Sequence, residues 1–353
     1  MKKWLIRLSI IVIILAIGLI SFKSALRLYR NEKVRLYEDE VALIPGIVCI
    51  GDSLTHGTGG EGISYPDYLG QMMELDGYVI PVYNLGVGGE NSITITERMG
   101  GMPFRVNGLT IPEDTEPVAI SFQPYGDYNI VPLRQGSPNN SGINPCIIAG
   151  VEGDISIIQE GYTSEEYSYE FVRSVPGDAV EVDSGEAIET YASSAYQGCI
   201  QIIFMGSNGG YASSEDLIAQ YDSIINNGDS NGRFIIVGMT LGSRDEYDEI
   251  DGALLEAYGD RYINLRNIFC DAEEITRVGV VPSDADKEQM TAGIVPDCIR
   301  TDEIHYTEAG YRLLSQVVYD KIIELGYLND IDEIADDYNS KWKLLRDLEV
   351  RLR

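Results

Sequence analysis

The chain has 353 residues, 44% of them hydrophobic, which suits one large domain or two modest ones with a packed core. The formal net charge is −30; the first forty residues hold eight Lys/Arg and four Asp/Glu, leaving 18 basic and 52 acidic residues, a net of −34, in the remainder. That excess of carboxylates argues against nucleic-acid binding, which needs clustered cations, and against adhesion of the main body to anionic lipid.

The first segment stands apart. "MKKWLIRLSIIVIILAIGLISFK" carries an apolar run from Leu8 to Phe22, reaching back to Trp4 if Arg7 snorkels, and only the longer span meets the ~20 residues a crossing helix needs. A cleaved signal peptide is the alternative, but no Ala-x-Ala site follows, and Ser24-Ala25-Leu26 is a poor substitute. Residues 1–40 therefore read as an uncleaved membrane anchor with a basic juxtamembrane stub. Lys2, Lys3 and Arg7 flank one side; Lys23, Arg27, Arg30, Lys33 and Arg35 flank the other. Charge counting slightly opposes export, whereas the N-terminal, signal-like position favours it. The expectation is a single-pass anchor in the cell membrane with the following domain outside; secretion after cleavage is the alternative.

Next, "ALIPGIVCIG" reads as a buried strand and "SYPDYLGQMMEL" as a helix; "YVIPVYNLGVGG" is a second strand running into glycines. Later come three more apolar runs, "CIQIIFMGSNGG", "RFIIVGMTLGS" and "RYINLRNIF". Helical patterns lie among them: "SSEDLIAQYDSIINN", "DEYDEIDGALLEAYG" and "TEAGYRLLSQVVYDKIIELGY". Strands alternating with helices predict an α/β fold, a parallel sheet covered on both faces, over residues 41–100 and 194–327. Residues 101–193 break the pattern. "EPVAISFQP", "GDISIIQEG", "EYSYEFVRSV", "DAVEVDSG" and "EAIETYA" alternate with period two between turn residues, which predicts an inserted antiparallel β-rich domain. Residues 328–353 read as an amphipathic helix turning from acidic to basic. The five cysteines form no Cys-x-x-Cys pair, so a zinc site or dense disulfide framework is not indicated; Cys49 and Cys199 read as small core residues.

Ligands of open parallel sheets bind at the carboxyl ends of the strands, and three such ends carry unusual residues. The first is Gly51-Asp52-Ser53-Leu54. A serine on a tight strand-to-helix turn exposes its hydroxyl, although Asp52 or Ser53 acting only as a helix cap explains the segment equally well. The second is "NLGVGGENS", Asn84 to Ser92, whose glycines let backbone N–H groups approach a ligand, or simply form a turn. The third is "MGSNGGY", where Asn208 can donate to a developing oxyanion, or start an Asn-Gly turn. Only two histidines exist to serve as a base. His305 has Asp302 three residues before it, a spacing that so acidic a chain produces often by chance. His56, three residues after Ser53, reads as a surface or cleft-wall residue, because the helix start points its ring away from the hydroxyl.

Taken together, "GDSLTHG", "GVGGENS", "GSNGG" and "DEIHYTEAGY", four blocks in order, resemble the SGNH/GDSL hydrolase family, over residues 43–92 and 194–327 only. The resemblance implies a flavodoxin-like three-layer sheet. It implies Ser53 as nucleophile, His305 as base and Asp302 as the acid orienting it. The oxyanion hole would comprise the N–H of Ser53, the N–H of Gly89 (Gly88 as fallback) and the amide of Asn208. Gly209 stands where the family usually has an aspartate. No cofactor or metal is expected. The implied activity is that of a serine esterase, expected to act on an acetyl ester of a cell-surface or extracellular carbohydrate. Alternatives are a lipase or thioesterase on longer acyl chains, an acyltransferase to a sugar, and a non-catalytic glycan-binding protein. The stretch 271–300 reads as a sizeable loop bordering the cleft.

Overall fold

The structure is a computed structural model that describes residues 46–78, 80–132, 142–159 and 167–329. The expected anchor over residues 1–40 lies outside the described residues, as does all but the first two positions of the C-terminal helix. Among the described residues no helix is long and apolar enough to cross a membrane.

A five-stranded sheet is built from β1 (Ile47–Gly51), β2 (Val82–Gly86), β10 (Ile200–Phe204), β11 (Phe234–Val237) and β12 (Tyr262–Ile263). Its order is β12-β11-β10-β1-β2, and every neighbouring pair is parallel. Both faces of β1 are covered, which is why its sequence is apolar throughout. Successive side chains alternate between the faces. Val48 and Ile50 join Leu85, Ile203 and Ile236 in a core closed by Ile95, Leu217, Tyr221 and Leu254. Those four come from α3 (Ser92–Arg98), α5 (Ser214–Asn227) and α6 (Arg244–Tyr258). On the opposite face Cys49 contacts Tyr65 of α2 (Tyr65–Leu75), and α2 packs against α10 (Glu308–Glu324). Helix α2 starts where the sequence dictates: Ser64 and Asp67 form a capping box, with Pro66 in the first turn. Cys49 and Cys199 are buried, and all five cysteines are free thiols.

Residues 101–193 carry β3 (Leu109–Ile111), β4 (Val118–Ile120), β5 (Cys146–Ile148), β6 (Val151–Gln159), β7 (Ser168–Arg173), β8 (Val180–Val182) and β9 (Ile188–Glu189), before the short α4 (Tyr191–Ala195). They form a β3-β8 pair and a five-stranded sheet β4-β7-β6-β5-β9, antiparallel throughout. The buried alternation of β7, with Tyr169, Phe171 and Arg173 inward, follows the period-two pattern of its sequence. The two ends of this segment lie side by side, since Arg105 bridges Ala187 and Ile188 N donates to Phe104 O. Ile93 of α3 packs into the same core as Phe104, Ile120 and Phe171, so the segment is seated on the α/β body.

Two expectations require correction. "RYINLRNIF" is a strand only at Tyr262–Ile263; Asn264 then caps a helix, α7 (Leu265–Phe269), by accepting from Asn267 N. The stretch 271–300 is not a loop. It holds α8 (Ala272–Thr276), capped by Asp271, α9 (Asp284–Thr291), opened by a Ser283/Asp286 capping box, and a 3-10 turn at Asp297–Ile299. These caps were readable; the helices between them are too short for a 3.6-residue period to show.

Candidate active site

The strand order reverses between β1 and β10, so a crevice opens where the chain leaves those two strands. The residues singled out from the sequence stand at this end. Gly51 closes β1, and a Cβ there would lie 2.2 Å from both Phe204 O and Thr55 Oγ1, so only glycine lets the strand turn under its neighbour. Asp52 follows as the N-cap of α1 (Ser53–His56), its Oδ1 accepting from Leu54 N at 2.9 Å. The tight turn sets Ser53 at the first helical position, 8% exposed.

Ser53 Oγ lies 2.9 Å from His305 Nε2, and His305 Nδ1 lies 2.9 Å from Asp302 Oδ2. The loop bearing the last two is strongly constrained. Asp302 Oδ1 accepts from Ile304 N at 2.8 Å and His305 N at 2.7 Å, so one carboxylate both folds the turn and orients the imidazole. Arg300 bridges Tyr306, and Thr301 N donates to His305 O. Buried Tyr306 is further held by a hydrogen bond between its hydroxyl and that of Thr240. Partial burial works to raise the Asp302 carboxyl; the two backbone N–H groups and the imidazole outweigh it and hold the group at about 2. Asp302 is therefore a carboxylate at neutral pH, matched to an imidazole whose Nδ1 carries a proton. A cavity of about 250 Å³ beside it is lined by Asp297, Arg300, Thr301, Asp302 and Glu303. His56 is exposed and lies outside this relay.

The second block forms a tight turn, Val87 to Glu90, closed by Glu90 N donating to Val87 O, with Gly89 at φ 82° in the position that favours glycine. This turn abuts the serine: a Cβ on Gly88 would sit 3.9 Å from Ser53 Cβ. Gly89 is the more exposed of the two glycines. Asn208, exposed after β10, donates from Nδ2 to Glu90 O at 2.9 Å and points the same group at Asp52 Oδ2, 3.4 Å away. The block-two turn and the Asn208 amide are therefore joined directly. Ser53, the Gly88-Gly89 turn, Asn208, Asp302 and His305 are thus brought into one neighbourhood from four separate chain segments.

Three features here had no signal in the sequence. Asp52, beyond the helix cap its sequence offered, faces the Asn208 amide; burial raises its carboxyl to about 7, against the pull of Leu54 N and His305. Glu90 and Arg98 form a fully buried ion pair beneath the glycine turn, with contacts of 3.0 Å from Nε and 2.8 Å from Nη2 to Oε2, while Arg98 also donates to Leu85 O. Burial pushes the Glu90 carboxyl up, and the guanidinium opposes it. Thr190 Oγ1, at the end of the β-rich segment, donates to Arg98 O. Acidic and basic residues eight apart carry no helical periodicity, so only the fold brings this pair together.

Chemically, the arrangement sets a hydroxyl beside an imidazole and the imidazole beside a carboxylate, with the glycine turn packed near the serine and joined to the Asn208 amide. Among the described residues no group of three or more His, Cys, Asp or Glu could hold a metal ion. Neither the protein-family models, nor the curated proteins, nor the solved structures contain a match to this chain.

Proposed function

We propose that the protein is a serine esterase of the SGNH/GDSL type, and that the five-stranded sheet, whose order from β2 runs 2-1-3-4-5 by strand of the parallel sheet, is flavodoxin-like. The observation that carries this reading is the hydrogen-bond relay from Ser53 through His305 to Asp302. Serine is a weak nucleophile at its free pKa and needs an adjacent base. His305 Nε2 takes the Oγ proton as Ser53 attacks the ester carbonyl carbon. Asp302 holds the tautomer with Nδ1–H toward itself and stabilises the imidazolium. The carbonyl oxygen, now an oxyanion, accepts from Ser53 N–H, Gly89 N–H and the Asn208 amide, one of whose two N–H groups gives up its long 3.4 Å contact with Asp52 Oδ2. Collapse expels the alcohol, which leaves with the proton from His305. Water, deprotonated by His305, then attacks the acyl-enzyme, and Ser53 recovers its proton as the acid is released.

Within this reading the substrate is an acetyl ester of a carbohydrate outside the cell, with the N-terminal segment holding the enzyme to the membrane. The residues around the cavity beside Asp302 all carry polar or charged side chains, which favours a hydroxyl-bearing alcohol over a long acyl chain. Acetate release from acetylated polysaccharide, set against p-nitrophenyl esters of increasing chain length, tests it. Preference for acetyl esters and free acetate as product are expected. A preference for long chains would replace the substrate by a lipid or thioester, and acetyl transfer to an added sugar would make the protein a transferase.

A further inference from the structure

The β-rich segment reaches the loop that carries Asn208. At its tip, Tyr125 and Tyr128 pair across a two-residue turn, each donating its N–H to the other's carbonyl, with Gly126 at φ 54°. Tyr128 Oη donates to Tyr211 O at 2.7 Å, three residues beyond Asn208. Tyr125 Oη donates to Asp216 Oδ1 at 3.2 Å, and Asp216 Oδ2 accepts from Ala212 N at 2.8 Å.

That loop needs outside restraint. Gly209 and Gly210 both adopt positive φ, 70° and 94°, and consecutive glycines leave the backbone little stiffness of its own. Three successive carbonyls are held by three different donors. Ser92 N binds Gly209 O, Gln220 Nε2 binds Gly210 O, and Tyr128 Oη binds Tyr211 O. The first two donors belong to the α/β body. The third, and the Tyr125 contact that braces Asp216, come from the inserted segment.

We infer that the β-rich segment is part of the catalytic apparatus, with Tyr128 and Tyr125 acting as positioning residues that hold the Asn208 amide in place. The inference rests on the esterase reading for its kinetic consequence. Neither tyrosine touches the reacting atoms; each acts through the loop. An amide displaced by a fraction of an ångström stabilises an oxyanion less while leaving ground-state binding unchanged.

The test uses the full chain and Tyr128→Phe, which removes one hydroxyl and keeps the ring. With p-nitrophenyl acetate, kcat is expected to fall roughly tenfold at constant KM and unchanged Tm, less than the ~10²–10³-fold cost of deleting an oxyanion donor. Tyr125→Phe gives a smaller fall in the same direction. In an Asn208→Ala background the Tyr128→Phe effect should vanish, because the amide it positions is gone. An unchanged kcat, or an equal loss with and without Asn208, overturns the inference. A second readout does not depend on activity: the side-chain amide resonances of ¹⁵N-labelled Asn208 should shift or broaden in Tyr128→Phe. Unmoved resonances overturn the positioning role even if wild-type protein hydrolyses no ester, an outcome that by itself counts against the esterase reading alone.

Discussion

His305 Nε2 stands 2.9 Å from Ser53 Oγ although 252 positions of chain separate the two residues. The contact depends on two locally determined turns: the Asp52-capped exit from β1, which presents the hydroxyl, and the Asp302-centred loop, which presents the ring.

Asp302→Asn tests the second of these turns. An amide can still accept from Ile304 N and His305 N, so the fold should survive. It cannot stabilise imidazolium, and its NH₂ group favours the wrong tautomer. Replacing the acid of a Ser-His-Asp triad by its amide costs ~10⁴-fold in kcat where that acid is buried. The Asp302 side chain is 55% exposed, so water substitutes in part and a loss of about 10²-fold is expected, with KM little changed. Steady-state kinetics on a short p-nitrophenyl ester measures it; a kcat within twofold of wild type would remove Asp302 from the relay.

Asn208→Ala separates binding from transition-state stabilisation. The side-chain donor acts on charge that develops only during attack, so kcat should fall by ~10²–10³-fold while KM stays within a few-fold. A change confined to KM would make Asn208 a substrate-binding residue instead.

The Glu90–Arg98 pair gives a stability prediction. Arg98→Met leaves a carboxylate buried without its partner, a situation that costs ~3–5 kcal/mol. Pairing it with Glu90→Gln should recover much of that loss. Denaturant midpoints at constant m value measure both. Equal midpoints for wild type and Arg98→Met would show that the pair contributes nothing to stability.

Glu97 supplies a pH dependence. Its residue is 6% exposed, Oε2 has no hydrogen-bond partner, and burial raises the carboxyl from 4.5 to about 8 against the pull of Arg105. The folded state therefore holds this proton more tightly than the unfolded state does. The stabilising contribution is complete below pH 4.5 and is lost as pH rises through about 8, on the order of a few kcal/mol over that window. Thermal melts at pH 5 and pH 9 should show a larger fall in Tm for wild type than for Glu97→Gln. Parallel falls would mean that Glu97 titrates like an exposed carboxylate.

Much of this architecture is written locally. The central strands β1, β10 and β11 are almost wholly apolar runs, because both their faces are buried, and the turn beyond must clear a neighbouring strand, as Gly51 must clear Phe204. The strands of the inserted segment are legible where they alternate over several residues, as β7 does. β3 and β5 are not: "LTI" is cut off by Gly108 and Pro112, and "CII" is apolar throughout, so neither shows the alternation that "EPVAISFQP" and "DAVEVDSG" do. Asp302 beside His305 was visible, but its spacing is common in so acidic a chain; its geometric meaning comes from the Asx-type turn that aims Oδ2 at Nδ1. The partners of Tyr128 and Tyr125 lie 83 and 91 positions away, and a tyrosine in a β-rich segment is expected merely as a good strand former. Such long-range contacts follow from how the two parts of the chain are seated on each other, which no local pattern encodes.

The central claim is that Ser53 is a nucleophile activated by His305, and covalent capture tests it most directly. Full-length protein is treated with a fluorophosphonate and digested, and the modified peptide is identified by mass spectrometry. The account predicts a phosphonyl adduct on Ser53 that is absent in Ser53→Ala and forms far more slowly in His305→Ala. An unlabelled Ser53 under conditions that label a known serine esterase, or labelling equally fast without the imidazole, would contradict it.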